Sequence, residues 1–310
     1  MLFWTLIGSC TARCQDHETA LKELAVKFQA IADEEAKKAT GYDITGQLGT
    51  IHNDWGLIEA RCASLAYFLD KREIYKRLIV ISAPQIINGR NAKTLFDLAL
   101  YIRSLENRAY AVKSVVNLSQ SERVEMWNLD CVGKLNIGNS HTVRSLSSIA
   151  LFSVKGDSLF ILGNIERGFF ERFRKVLKEN PNIKNIYVGS GGGSVRDAMM
   201  SGLLIRKLEL TTTLYTDCYS SCPLLFMGGS KRLVWSPYPR FGFHQVSSDG
   251  QEISREHIAY KVIGQYAYKM GVNGQQIVAL MYQATPLQMK YQDVSQLCAT
   301  GITTWVQRMC

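Results

Sequence analysis

Ile183-Lys184-Asn185-Ile186-Tyr187-Val188-Gly189-Ser190-Gly191-Gly192-Gly193-Ser194 is the stretch on which the reading of this 310-residue chain turns. An apolar, β-branched run ends in glycines, and a helical pattern follows with Val195, Met199 and Leu203 on one face. The same grammar continues on both sides. Upstream, Ser158 to Gly163 reads as a buried strand, and Phe169, Phe173, Val176 and Leu177 fall at helical spacing until Asn180-Pro181 stops them. Downstream, Thr211 to Thr216 is a third strand. It leads into Cys218-Tyr219-Ser220-Ser221-Cys222-Pro223, where another short helix opens. Strands and helices alternating at this spacing predict βαβ units and a mainly parallel sheet. Chemistry then belongs at the C-terminal ends of the strands, where both the glycines and Ser220 lie.

Three successive glycines let a backbone approach a ligand closely with its amides free to donate. No Gly-Lys-Ser/Thr follows, so this is not a phosphate-binding P-loop, and GxGxxG is incomplete, so it is not the dinucleotide fingerprint. Ser220 has two readings at a strand-to-helix turn. It is a helix cap, or it is an exposed nucleophile whose following amide, on Ser221, can donate to an oxyanion. A nucleophile needs a base. His244, in Arg240-Phe241-Gly242-Phe243-His244-Gln245, sits in a short apolar segment after the Pro237/Pro239 turn and can be that base or a satisfied edge residue.

Taken in order, these parts resemble the proteolytic subunit of Clp protease, within the Clp/crotonase superfamily, over residues 158–303. Ser158–Gly163 resembles its first strand, Ser190-Gly191-Gly192-Gly193-Ser194-Val195 its glycine element, Ser220 its nucleophile, and Phe243-His244-Gln245 its catalytic His-Gln. The resemblance implies an α/β domain, a Clp/crotonase-like ββα-repeat spiral over about 150–310. It also implies a serine hydrolase, of peptidase type, acting on a peptide or protein substrate. Ser220 and His244 would be catalytic, with Gly192, Gly193 and Ser221 as the oxyanion hole. The sequence departs from the family in two places. Gly191 stands where the family has proline. The acid that completes a triad is Asp293 when counted from His244, but alignment on Gly301-Ile302 puts Met289 there, so a Ser-His dyad stays open. A non-catalytic peptide-binding scaffold and an acyl-CoA-processing enzyme of the crotonase branch are the competing functions, with a thiol nucleophile at Cys218 or Cys222 behind them. In the family, the segment after the catalytic His projects and packs against neighbours. The helical stretch Glu252–Met270, with Ile258, Val262, Ile263, Tyr266 and Met270 on one face, therefore leads to the expectation of a homo-oligomer.

The N-terminal half carries no motif tied to chemistry. Residues 16–39 read as an amphipathic helix with Leu21, Leu24, Phe28 and Ile31 on one face, broken by the GYDITGQLG segment. A second helix covers about 51–72. Leu78 to Ile81 is strand-like, Thr94 to Leu105 helical, Ala109 to Val116 strand-like again, and Val124 to Val132 mixed. This predicts a mainly helical α/β region over 15–145. Residues 1–14 read as a secretory leader, and Ile7-Gly8-Ser9-Cys10 resembles a lipoprotein cleavage box. Six cysteines remain beyond Cys14, an even number that fits an oxidising compartment. Cys218 and Cys222 are disulfide candidates. Further ligands at zinc spacing are missing, so neither a metal nor a cofactor is expected. The expected location is the periplasm or cell envelope, with a lipid anchor or membrane-surface contact, and the cytoplasm is the alternative. An apolar share of 46%, a charged share of 20% and a net charge of +9 describe a globular chain. No run of basic residues interleaved with aromatics appears, which argues against a nucleic-acid partner.

Overall fold

The computed structural model describes residues 4–39, 44–50, 54, 56–82, 94–235, 238–248, 251–292, 294–307 and 309–310. The chain divides into two compact units, residues 1–144 and 145–310.

The described residues of the first unit form helices joined by turns and irregular segments, with no strand among them. Its helices are α1 (Trp4–Lys38), α2 (Ile44–Thr50), α3 (Leu57–Phe68), α4 (Arg72–Ser82), α5 (Leu95–Val116) and α6 (Gln120–Met126), the last running into a π-helical turn at Trp127–Cys131. The two strand-like stretches are therefore helix. Leu78 to Ile81 belongs to α4, where Ile74 and Leu78 are buried one turn apart. Ala109 to Val116 continues α5, because Ala99, Ile102, Leu105, Ala109, Val112 and Val116 keep the helical spacing on its buried side. A buried stripe at that period outweighs the β-preference of the valines. Thr94 and Asp97 close a capping box that fixes where α5 starts. The helix expected over 51–72 ends at Phe68, with Asp70 at φ 54° in the turn to α4. A disulfide between Cys62 on α3 and Cys131 in the π turn ties the unit together. Beside it, Arg61 donates to the buried Asp130 at 2.8 Å.

The second unit opens with the antiparallel pair β1 (Leu151–Lys155) and β2 (Ser158–Leu162). Next come α7 (Phe169–Glu179), β3 (Asn185–Ser190), α8 (Val195–Lys207), β4 (Thr211–Tyr219), α9 (Cys222–Phe226) and β5 (Lys231–Val234). Strands β2 to β5 are parallel neighbours, as the crossover helices require. The chain continues through β6 (Phe241–Phe243), the exposed hairpin β7 (Ser247–Ser248) and β8 (Gln251–Glu252), α10 (Ile258–Lys269), α11 (Gly274–Met281), β9 (Lys290–Gln292), α12 (Val294–Thr300) and β10 (Trp305–Val306). The core between sheet and helices is led by Phe169, Phe173, Phe226, Phe241 and Phe243.

Strand β4 serves two partners. Its first residues, Thr211–Thr213, pair with β5, and its last, Cys218 and Tyr219, pair with β6. Between them the register against β3 slips. Val188 faces Leu214 but Ser190 faces Cys218, so three β4 residues bulge opposite one. The sheet forks there, and the fork lies next to Ser220.

The stretch Glu252–Met270 differs from its expectation at its start. Gln251 and Glu252 form β8, and α10 begins at Ile258, where the His257 side chain accepts the Ala259 N–H as a cap. Most of its apolar stripe turns inward. Ile263, Tyr266 and Met270 are buried in the core of this unit, and the Tyr266 hydroxyl donates to the Leu224 carbonyl at 2.6 Å. Ile258 and Val262 are left 61% and 42% exposed. Among the described residues no helix is long and apolar enough to cross a membrane.

Candidate functional site

Parallel pairing brings Ser220 and His244 to the ends of neighbouring strands. Tyr219 pairs with Gly242 across β4 and β6, so Ser220 and His244 each stand just past the C-terminal end of one of two adjacent strands. The Ser220 N–H donates to the Gly242 carbonyl at 2.9 Å, which anchors that relation. Ser220 itself adopts φ 59°, a left-handed conformation that costs an L-residue about 1 kcal/mol. A non-glycine residue there, between a strand and a helix, is held by its surroundings and marks a site worth testing.

The glycine turn packs directly on Ser220. Gly192 has φ 98°, and a Cβ there would overlap Ser220 Cβ and lie 2.7 Å from the Tyr219 carbonyl oxygen and 3.0 Å from Ser220 Oγ. Only glycine permits both the dihedral and the approach. The next residue, Gly193, bridges to Ile165. The Ile165 N–H donates to Gly192 O at 2.8 Å, and the Ser194 N–H donates to Ile165 O at 2.7 Å. The Gly192 N–H is already engaged, donating to Ser190 Oγ at 3.0 Å. Among the described residues no acceptor meets the amides of Gly193 or Ser221, so those two remain open to a ligand. A groove of about 710 Å³ adjoins the turn, lined by Asn164, Arg167, Gly191–Val195 and Val246–Ser248.

His244 is half-buried, and its Nδ1 lies 2.6 Å from the Gln245 carbonyl oxygen. A carbonyl only accepts, so Nδ1 carries the hydrogen and the neutral ring keeps its lone pair on Nε2. The Gln245 N–H in turn donates to Ala284 O at 2.9 Å, which fixes this segment. Among the described residues Ser220 Oγ makes no hydrogen bond, to His244 or to any other group. Asp293 lies outside the described residues. Strand β9 pairs Lys290 with Phe243 and Gln292 with Phe241, so the position level with His244 continues to Met289. The Met289 thioether packs over Gly242, where an added Cβ would come within 2.6 Å of its sulfur.

Cys218 and Cys222 form a disulfide with Cα atoms 5.3 Å apart. The thiol-nucleophile reading is thereby overturned for both, because a bonded sulfur has no thiolate to attack with. Cys298 and Cys310 form another bond, and with Cys62–Cys131 these three disulfides fit an oxidising, extracytoplasmic environment. Among the described residues no cluster of His, Cys, Asp and Glu could hold a metal ion.

One group beside the site was not singled out from the sequence. The buried carboxylate of Asp217, in the β4 bulge, accepts the Arg240 N–H at 2.8 Å and the Arg240 Nε–H at 2.9 Å. The Tyr219 hydroxyl also donates to Asp217, and Arg240 Nη2 donates to that hydroxyl at 3.0 Å. The guanidinium stacks 4.3 Å from the Tyr291 ring. Burial, with the Asp217 charge behind it, pushes the Tyr219 hydroxyl far above the ordinary tyrosine range. Burial opposes the charge on Arg240, yet Asp217 and Tyr219 outweigh it and hold the guanidinium above its usual value. Arg240 immediately precedes β6, so the cluster clamps β6 to β4 at Asp217, three residues before Ser220. The sequence signal was there: one acidic and one basic residue in segments that are otherwise uncharged.

No family model matches the chain, and no curated protein matches it in sequence. Among solved structures, ClpP1 from Listeria monocytogenes is similar over 49% of this chain and 91% of that one, at 17% identity and a TM-score of 0.41. A mutant of the 1510-N membrane-bound stomatin-specific protease is similar over 48% of this chain and 76% of its own, at 14% identity and a TM-score of 0.37. Both similarities are of structure, at low identity, and cover about half of this chain.

Proposed function

We propose that the protein is a serine hydrolase of peptidase type, working through a Ser220–His244 dyad. The observation that carries this reading is the strained Ser220 turn, seated on Gly192 and anchored to the strand that leads into His244. In the reaction, Ser220 Oγ attacks a substrate carbonyl while His244 Nε2 takes its proton. The Gly193 and Ser221 amides receive the oxyanion. His244 then returns the proton to the leaving amine. The Gln245 carbonyl does the orienting work that an acid does in a triad, since it holds the Nδ1–H tautomer, but it adds no negative charge to stabilise the imidazolium. Slow turnover relative to a full triad is the expected consequence. The substrate is a peptide or protein, and the location is the cell envelope or periplasm, a reading supported by the three disulfides.

The test is labelling by a fluorophosphonate serine probe and hydrolysis of a responsive substrate. Ser220→Ala abolishes both. His244→Ala lowers them by about a hundredfold or more, and the double variant is no worse than Ser220→Ala alone. Full labelling of Ser220→Ala removes the hydrolase reading. Asp293→Ala separates dyad from triad: a dyad keeps its rate within about threefold, whereas a fall matching His244→Ala makes Asp293 the third member. The lack of a hydrogen bond between Ser220 Oγ and His244 among the described residues favours one second reading, a peptide-binding scaffold without turnover. An oxidised, folded chain that binds peptides but never labels would establish it.

A further inference from the structure

We infer that the Cys218–Cys222 disulfide is a redox-sensitive brace that holds Ser220 in its left-handed turn, so that the site is assembled only while the bond is closed. The inference rests on the reading of Ser220 as the nucleophile, and adds its regulation.

The turn has a secure side and an insecure one. On the strand side, Cys218 pairs with Ser190 of β3 and with Phe241 of β6, and its N–H donates to Arg240 O at 2.9 Å. On the helix side stands α9, five residues long; its body is held in the core, with Leu224 O accepting from the Tyr266 hydroxyl and Phe226 O from Thr212 Oγ1, so its weak point is its start. Ser221 occupies its N-cap, but its side chain makes no capping bond, and its buried Oγ has no hydrogen-bond partner among the described residues. The usual fastening of a helix start is therefore missing where the chain carries a residue at positive φ. The disulfide joins the two sides across Tyr219, Ser220 and Ser221, and both cysteines are 0% exposed. Once it opens, no capping bond from Ser221 opposes relaxation of Ser220 to negative φ. That relaxation draws Oγ away from Gly192 and turns the Ser221 amide out of the oxyanion position.

The switching step is thiol–disulfide exchange. A dithiol passes two electrons and two protons to the pair, the S–S bond breaks to two thiols, and the dithiol closes its own disulfide. Since both sulfurs are buried, exchange waits for local opening and is slow.

The experiment uses the full chain with Cys10, Cys14, Cys62, Cys131, Cys298 and Cys310 changed to Ala, so that Cys218–Cys222 is the bond that dithiothreitol acts on. Unaltered chain and Cys218→Ala/Cys222→Ala accompany it. Three quantities are read: fluorophosphonate labelling rate, hydrogen exchange of the Ser220 amide, and far-UV circular dichroism, with thiol mass tagging to report the state of the pair. Opening the pair is expected to slow labelling at least tenfold and to speed Ser220 amide exchange at least tenfold, with the dichroism kept. Reoxidation restores both, and the double alanine variant behaves as the reduced form with or without reductant. An open pair with unchanged labelling and exchange overturns the brace, as does loss of the far-UV signal on opening, which would make the bond a support of the whole fold. If the oxidised chain never labels while exchange still responds, the brace stands and the hydrolase reading falls. If labelling survives opening but is lost in Ser220→Ala, the hydrolase stands and the brace falls.

Discussion

Gly192 meets Ser220 with no room for a methyl group, and its φ of 98° leaves an L-residue strained as well. Gly192→Ala therefore has to displace either the turn or the serine. Since the groups involved are the reacting ones, a shift of about 1 Å is expected to cut serine-probe labelling by about a hundredfold. Measuring the labelling rate beside the thermal midpoint checks this, and a labelling rate near that of the unaltered chain would show that the turn absorbs the methyl. Positions such as Gly192, Ser220 and His244 are legible in a sequence because their identity is the information: a glycine where no Cβ fits, a hydroxyl at a strand end, a ring that can take a proton. The partner of His244 Nδ1 was not legible, because it is a main-chain carbonyl and every residue has one. Nor could side-chain type show that the Gly192 amide is already engaged by Ser190 while that of Gly193 is open.

At the level of elements, β4 holds the site through its clamp on β6. Asp217 is fully buried, and Arg240 is its ion-pair partner at 2.9 Å. Arg240→Met leaves the carboxylate without its cation, which is expected to lower the unfolding free energy by about 3–5 kcal/mol. Asp217→Asn combined with Arg240→Met should cost less than the two single changes added together, because the charge that needed neutralising is gone. Urea denaturation of the four chains tests this, and additive costs would show that the pair does not act as a unit. Strands β2, β3 and β4 were legible because each is an apolar run bounded by turn residues. The helices of the first unit were harder. Leu78-Ile79-Val80-Ile81 and Ala109 to Val116 look strand-like over a short window, and only a longer window shows the burial period that makes them helix. Strands β6 and β9 span three residues each and pair with partners distant in sequence, so no local pattern announces them.

For the whole molecule, alkaline pH is the sensitive direction. Burial pushes the hydroxyls of Tyr219 and Tyr266 above their ordinary value of 10.0. Above pH 10 the unfolded chain releases these protons while the folded chain keeps them. The stability they support is complete below pH 10 and is lost progressively as the pH rises beyond it, by about 1.4 kcal/mol per pH unit for each tyrosine. Arg232 works in the opposite sense. Burial, with Arg206 nearby, pushes it down to about 10, so above that pH the unfolded chain holds the extra proton and folding gains. Burial raises the Tyr260 hydroxyl as well, so three tyrosines against one arginine leave a net loss. The urea midpoint of the second unit should fall between pH 10 and 11, and Tyr266→Phe should make the fall shallower. A midpoint independent of pH in that window would contradict it.

The disulfides keep to their own halves of the chain. Cys62–Cys131 closes within residues 1–144, and Cys218–Cys222 and Cys298–Cys310 close within 145–310. Forming these three bonds thus requires no pairing between the halves. A ribosome that has delivered the first hundred and forty-odd residues to an oxidising compartment has already delivered every sulfur that Cys62–Cys131 needs. In evolutionary terms the same arrangement makes the boundary a seam: a recombination event there would pass on each half with its crosslinks intact, leaving no orphaned thiol from these three bonds to be repaired.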